Sequence, residues 1–325
     1  MEEIVEDTEI VDKKHISMHG WYTGRIPPQA GRLAVITGGT SGLGFETALK
    51  LAQGCVDVIL AGRDEAKGRE ALGQLRPMAP HALIRFEMLD LARQDSVAAF
   101  AERLAKWNRP VDLLINNAGV MALPKRETTA DGFEMQLATN YLGHFALTGR
   151  LLPLLRQGRR PRVVQVSSLG HRYGSIHFDD LHGERGYGPW AAYCQSKLAA
   201  LMFALELQRR SVLYGWGLQS NAAHPGYSRR DRVAGAFGAG NLLTWLNRRL
   251  GEFVGQSAAD GAQSALLAAT SPNAQPGEYY GPRGFLELAG QPAQAAVGKR
   301  ALDRDVAKRL WEVSEQLTGV HWPVD

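Results

Sequence analysis

Leu33-Ala34-Val35-Ile36-Thr37-Gly38-Gly39-Thr40-Ser41-Gly42-Leu43-Gly44 is a short apolar run that breaks into glycines and hydroxyls and then enters a helical pattern. A buried parallel strand reads as such a run. Glycines after it let the backbone turn sharply and let the next helix pack close on the strand, while N–H groups at the helix start face outward and attract an anion. The turn therefore reads as an anion cradle, with Gly38, Thr40, Ser41, Gly42, Leu43 and Gly44 as its contact residues.

The same alternation continues outward from this turn. Runs rich in Val, Ile and Leu recur at Val56 to Ala61, Leu83 to Met88, Val111 to Asn116, Arg162 to Ser167 and Leu218 to Ala223. Segments of helical length and composition lie between them: Gly42 to Gln53, Asp64 to Leu75, Asp95 to Lys106, Gly132 to Gln157 and Trp190 to Tyr214. Repeated strand-helix-strand order predicts an α/β fold, a doubly wound Rossmann-type parallel sheet with helices on both faces, in a single domain over residues 31–325. Residues 1–30, acidic at the start and ending near Pro27-Pro28, read as an N-terminal arm. A glycine-rich, aromatic stretch at about 227–256 interrupts the rhythm and reads as a cover over a site on the sheet, or else as a packed helix on the domain or an oligomer contact.

Composition narrows the function. The 325 residues are 45% hydrophobic, ample for a large core. A formal charge of +4, from 37 basic and 33 acidic residues, is spread without a basic stripe, so nucleic acid is not an expected partner. No apolar stretch approaches the ~20 residues of a transmembrane helix, and Met1-Glu2-Glu3-Ile4-Val5-Glu6-Asp7 lacks the basic start of a secretory signal. The two cysteines, Cys55 and Cys194, fall inside predicted core or helix segments. A soluble, cytoplasmic, reduced chain is expected.

The end of the second strand bears on the ligand. Dinucleotide folds commonly place an acidic residue there to bond the ribose 2′-hydroxyl. Here the run is Val58-Ile59-Leu60-Ala61-Gly62-Arg63. A 2′-phosphate meets no carboxylate at Gly62 and finds a guanidinium at Arg63, which favours NADP(H) over NAD(H). The competing reading makes Arg63 a solvated helix-start residue beside Asp64.

Three further stretches follow in order: Asn116-Asn117-Ala118-Gly119, Val166-Ser167-Ser168 and Tyr193-Cys194-Gln195-Ser196-Lys197. With the glycine turn and Asn140 in Thr139-Asn140-Tyr141-Leu142-Gly143-His144-Phe145, the set resembles the short-chain dehydrogenase/reductase family over roughly residues 31–226. The context Ala192-Tyr193-Cys194-Gln195-Ser196-Lys197-Leu198-Ala199, with the long separation from Ser168, is most similar to its retinol dehydrogenase-like branch. That resemblance implies hydride transfer between nicotinamide and a carbonyl or alcohol on a lipophilic small molecule. It also implies Ser168 on the reacting oxygen, Asn140 on a water linked to Lys197, Asn117 beside the adenosine half, and Asp90 with Leu91 at the adenine. Relatives often pair through their two long helices, so a homodimer or homotetramer is expected by analogy.

Tyr193 and Lys197 stand four apart on a predicted helix and so emerge on one face. A free phenol has a pKa near ~10, and a close ammonium favours phenolate, which equips Tyr193 as general acid for reduction or base for oxidation. In His224-Pro225-Gly226-Tyr227-Ser228-Arg229-Arg230, Pro225, Gly226 and Ser228 resemble the family's segment beside nicotinamide, but Arg230 stands where threonine is usual. Ser228 could supply the hydroxyl, Arg230 could turn outward, or it could meet an anionic substrate group. His171, His177 and His182 share a loop without a recognised metal spacing, and no metal is expected. Reduction of a carbon-carbon double bond and a non-catalytic dinucleotide sensor are the competing functions.

Overall fold

The computed structural model describes residues 26–27, 29–227 and 256–324. Most of the expected arm, nearly all of the expected cover, and Ser228 and Arg230 lie outside them. Six strands stand where the apolar runs predict them: β1 Leu33–Thr37, β2 Asp57–Gly62, β3 Ile84–Met88, β4 Leu113–Asn116, β5 Arg162–Val166 and β6 Gln219–Ala223. The sheet continues through β7 Tyr279–Pro282, parallel to β6, and β8 Pro292–Gln294, antiparallel to β7. Its order is β3-β2-β1-β4-β5-β6-β7-β8, a doubly wound sheet whose direction reverses between β1 and β4.

Period-two alternation along each strand divides the core into two layers. Leu33, Val35, Ile59 and Ala61 face one way, while Ala34, Ile36, Val58 and Leu60 face the other. The second layer is closed by α1 Gly42–Gln53, α2 Glu65–Met78 and α7 Ala258–Thr270. The first is closed by α3 Gln94–Lys106, α5 Gly143–Arg156, α6 Pro189–Leu213 and α8 Arg304–Thr318. Burial on both faces explains why the central strands read as unbroken apolar runs.

Two sequence expectations are corrected. The segment Gly132 to Gln157 is not one helix: Gly132 sits at φ +86° in a turn, and the chain then makes a short α4 (Met135–Leu137), a π turn (Ala138–Leu142) and α5. Cys55 is exposed at φ +61° in the turn between α1 and β2, not in the core; Cys194 is buried, its thiol pushed up to about 12 by burial.

The C-terminus closes the first layer with aromatic rings. Trp322 lies 4.7 Å from Trp311, 5.3 Å from Trp216 and 5.6 Å from Phe145, ring centre to ring centre. Thus α8 and the tail after it cover α5 and α6.

Candidate active site

The strand ends Thr37, Asn116, Val166 and Ala223 share the carboxyl edge of the sheet, where ligands of open α/β sheets bind at the reversal of strand order. Gly38 adopts φ +64° and Gly42 φ +56°. A Cβ on Gly44 would collide with the Gly38 carbonyl, so only glycine lets α1 start this close to β1. Ser41 makes no side-chain cap to α1, and the helix has no acidic residue in its first turn. The positive helix end thus keeps its outward N–H groups available to an anion, and Gly38 through Gly44 fit the pyrophosphate of a dinucleotide.

Asn117 staples this turn to β4. Its Nδ2 donates to the Thr37 carbonyl at 2.8 Å, and its backbone N–H, with that of Ala118, donates to Thr37 Oγ1 at 2.9 and 3.0 Å. At the end of β2, Gly62 has room for a side chain, with Phe86 and Thr40 at 3.4 and 3.5 Å from a would-be Cβ. Arg63 is exposed beside it, and Asp64 is committed to capping α2 through the Lys67 N–H. Asp90 forms a local turn, its Oδ1 accepting the Ala92 N–H at 3.0 Å, and Leu91 is buried against Gly143. The first of these is the strand-end capping that an aspartate makes without any ligand.

The π turn places Asn140. Gly143 N–H reaches back to the Ala138 carbonyl, five residues away, which shifts the ladder and turns the Asn140 carbonyl toward other donors. Those donors are His144 Nδ1 at 3.2 Å and Gln165 Nε2 at 3.4 Å. The Asn140 amide holds the loop after β4: Oδ1 accepts the Val120 N–H, and Nδ2 donates to the Val120 carbonyl and to Ser196 Oγ. Asn140 is therefore tied to α6 one residue before Lys197.

Tyr193 and Lys197 lie on α6, both buried, with the Lys197 ammonium 5.9 Å from the Tyr193 ring centre. Lys197 Nζ donates to the Val166 carbonyl at the end of β5 at 3.1 Å. The Tyr193 ring stacks on Trp190 at 5.3 Å and 30°, and Gly170 leaves only 3.2 Å between a would-be Cβ and that ring. Ser168 follows β5; its Oγ accepts the Gly170 N–H at 3.1 Å and caps the short 3₁₀ turn Leu169–Tyr173. The turn after β6 carries Pro225 and Gly226 at φ +69°, close to Leu43 of α1 through Gly261. The described ones among the expected residues thus follow six strand ends along one edge, joined by Asn140 from the π turn and by Tyr193 and Lys197 from α6.

Three buried histidines and one half-buried carboxylate escape motif reading. His144 spans Thr37 and Asn140, and burial pushes it down to about 3. His171 donates to the Ser168 carbonyl at 2.7 Å and is pushed down to about 4 by burial. His224 and Glu287 lie 3.1 Å apart behind Gly226. The three loop histidines diverge: His171 turns inward, His182 stacks on Phe133, and His177 is exposed.

Comparison with known proteins gives the family. The short chain dehydrogenase family model matches residues 32–236. The chain belongs to the short-chain dehydrogenase/reductase family and is an oxidoreductase. Within the family it falls in the retinol dehydrogenase-like branch. It is 41% identical over 298 residues to polyprenol dehydrogenase of Mus musculus, covering 90% of this chain and 86% of that one. It is 39% identical over 294 residues to retinol dehydrogenase 12 of Homo sapiens, covering 90% and 88%. A crystal structure of an uncharacterized protein from Mycobacterium paratuberculosis superposes with a TM-score of 0.76 at 38% identity, covering 95% of this chain and all of that one. Among the described residues no helix is long and apolar enough to cross a membrane.

Proposed function

We propose that the chain uses NADP(H) to interconvert a carbonyl and an alcohol on a lipophilic small molecule. The observation that carries this reading is the placement of Tyr193 and Lys197, one turn apart on α6 and buried, with Lys197 bonded to the end of β5 on the same sheet edge from which the Gly38–Gly44 turn leaves β1. Bound nicotinamide supplies or accepts the hydride. Tyr193 gives a proton to the carbonyl oxygen in reduction and takes it back in oxidation. Lys197 places its positive charge where it favours the phenolate. Ser168 Oγ donates to the same substrate oxygen, and Asn140 orders water near Lys197.

Gly38, Thr40, Ser41, Gly42, Leu43 and Gly44 hold the pyrophosphate; Asn117, Asp90 and Leu91 border the adenosine half; Pro225, Gly226 and Ser228 border the nicotinamide. Arg63 takes the 2′-phosphate, supported by the absence of a carboxylate at Gly62. Lipophilicity of the substrate is supported by the relatives' names, since polyprenol and retinol are both isoprenoid alcohols. The test follows absorbance of NADPH with retinal, a long-chain polyprenal and short polar aldehydes, and identifies products. Turnover of the apolar aldehydes to alcohols is expected. Consumption confined to polar aldehydes, or a product saturated at a carbon-carbon bond, overturns the substrate or the reaction respectively.

A further inference from the structure

The loop after β5 and the turn after β6 converge on one carboxylate. Arg172, four residues beyond Ser168, donates from Nη2 to Glu287 Oε2 at 2.7 Å. His224, just before Pro225, reaches the same oxygen from Nε2 at 3.1 Å. Glu287 Oε1 accepts the Ala296 N–H at 2.9 Å. The tautomer of His224 follows from its other nitrogen, because Nδ1 accepts the Gly226 N–H at 3.2 Å and the proton must therefore sit on Nε2.

The backbone delivering this carboxylate is strained. Leu286 at φ 50° and Glu287 at φ 58° are consecutive left-handed non-glycine residues, a conformation that persists only where its surroundings over-determine it. Burial pushes the Glu287 carboxyl up, but the His224 and Ala296 hydrogen bonds and the Arg172 charge outweigh it and hold the group below the usual range. Tyr279 fills the space between the two arms, its ring edge-on to His171 at 5.3 Å and tilted on His224 at 5.1 Å, with its hydroxyl 3.3 Å from the Ser168 carbonyl. Gly281 leaves room for the His224 ring, which any Cβ there would overlap.

We infer that Glu287 is a positioning residue whose carboxylate clamps the Ser168 loop to the Pro225-Gly226 turn and so fixes their separation. Its effect on turnover rests on the function proposed above; the clamp itself does not. A glutamine at 287 keeps the shape but offers one acceptor oxygen where the site needs two.

Hydrogen exchange on the full chain tests the clamp without any substrate. In Glu287→Gln, the amides of Gly170 and His171 and those of Gly226 and Tyr227 are expected to exchange on the order of tenfold faster, while β1 and β4 stay at parental rates. Arg172→Met is expected to release the Ser168 loop alone, and it decides the question from one arm if Glu287→Gln does not fold. Parental rates in either loop of Glu287→Gln, in the released loop of Arg172→Met, or parallel acceleration of the whole chain, overturn the inference. Where the parent reduces a carbonyl, kcat of Glu287→Gln is expected to fall roughly 10- to 100-fold with KM for NADPH within about twofold. A parent without turnover removes the proposed function and leaves the clamp to the exchange data.

Discussion

Thr37 Oγ1 and His144 Nε2 lie 2.8 Å apart although 107 residues separate them, and through this bond the dinucleotide turn is joined to the π turn that bears Asn140. The tautomer is fixed from the far side. The Asn140 carbonyl can only accept, so His144 Nδ1 carries the proton and Nε2 takes the Thr37 hydroxyl. Thr37 then has its lone pairs for the N–H groups of Asn117 and Ala118.

A buried neutral imidazole makes stability depend on pH. His144 titrates near 6.5 when unfolded and at about 3 when folded, so its contribution is fully present above pH 6.5 and is lost as pH falls toward 3. His171, pushed to about 4, acts in the same direction, as does His224. Between pH 6 and 4, urea titrations are expected to show stability falling by roughly 1–1.5 kcal/mol per pH unit from His144, with His171 adding a loss that fades as pH 4 is reached. His144→Leu should flatten that slope by close to one proton. It should also cost about 2–4 kcal/mol at pH 7, because Thr37 and Asn140 lose a buried partner. An unchanged slope in His144→Leu refutes the assignment.

The proposed preference for NADP(H) is placed at the end of β2. Arg63 is exposed, so its pairing with a 2′-phosphate is screened, and Arg63→Ala is expected to weaken NADPH by about 0.5–1.5 kcal/mol, roughly 2- to 10-fold, with NADH little changed. Gly62→Asp should act more strongly, since the position has room for a side chain and a carboxylate there repels the phosphate while offering an acceptor to a ribose hydroxyl. Fluorescence titration with both cofactors checks this. Equal affinities in the parent protein would end the NADP(H) assignment.

How much of this was legible in the sequence follows from the length and contrast of each segment. The first five strands carry apolar residues between longer helical segments, and the pattern finds them to within about two residues, whereas β6, Gln219-Ser220-Asn221-Ala222-Ala223, is marked less by apolarity than by its place in the strand-helix order. Tyr279–Pro282 and Pro292–Gln294 are four and three residues long and carry Gly or Pro, too short and too broken for a period to register. In α7 the alanines give little contrast between faces, whereas α8 carries a readable signal, Asp303 as cap and then Val306, Leu310, Trp311, Val313 and Leu317 at helical spacing. Motifs name Tyr193, Lys197, Ser168 and Asn117 because neighbouring residues mark them. Glu287 has no such marking: its meaning comes from β7 and β8 carrying it to His224 and Arg172, which no local spacing encodes.

The C-terminal rings are expected to stabilise the fold rather than the chemistry. Trp322 is 4% exposed and touches Trp311, Trp216, Phe145 and Phe203. Trp322→Ala should cost about 3–5 kcal/mol in chemical denaturation, the range for emptying a large aromatic site, and leave the NADPH affinity of the folded fraction unchanged. A loss below about 1 kcal/mol would mean that the tail contributes little to the core.

Tyr193→Phe isolates proton transfer. Phenylalanine keeps the ring that stacks on Trp190 and packs on Gly170, so the variant is expected to fold, melt near the parent and bind NADPH with similar affinity. What it loses is the hydroxyl, and with it the proposed proton donor. General acid-base catalysis contributes typically ~10²- to 10⁴-fold, so kcat for carbonyl reduction should fall by at least that order while KM changes little. Lys197→Ala should be comparably slow for a different reason. It removes a buried ammonium together with its bond to the Val166 carbonyl, so lower thermal stability should accompany the kinetic loss. A folded Tyr193→Phe protein that reduces its best aldehyde within a few-fold of the parental rate would place the proton donor elsewhere and refute the mechanism.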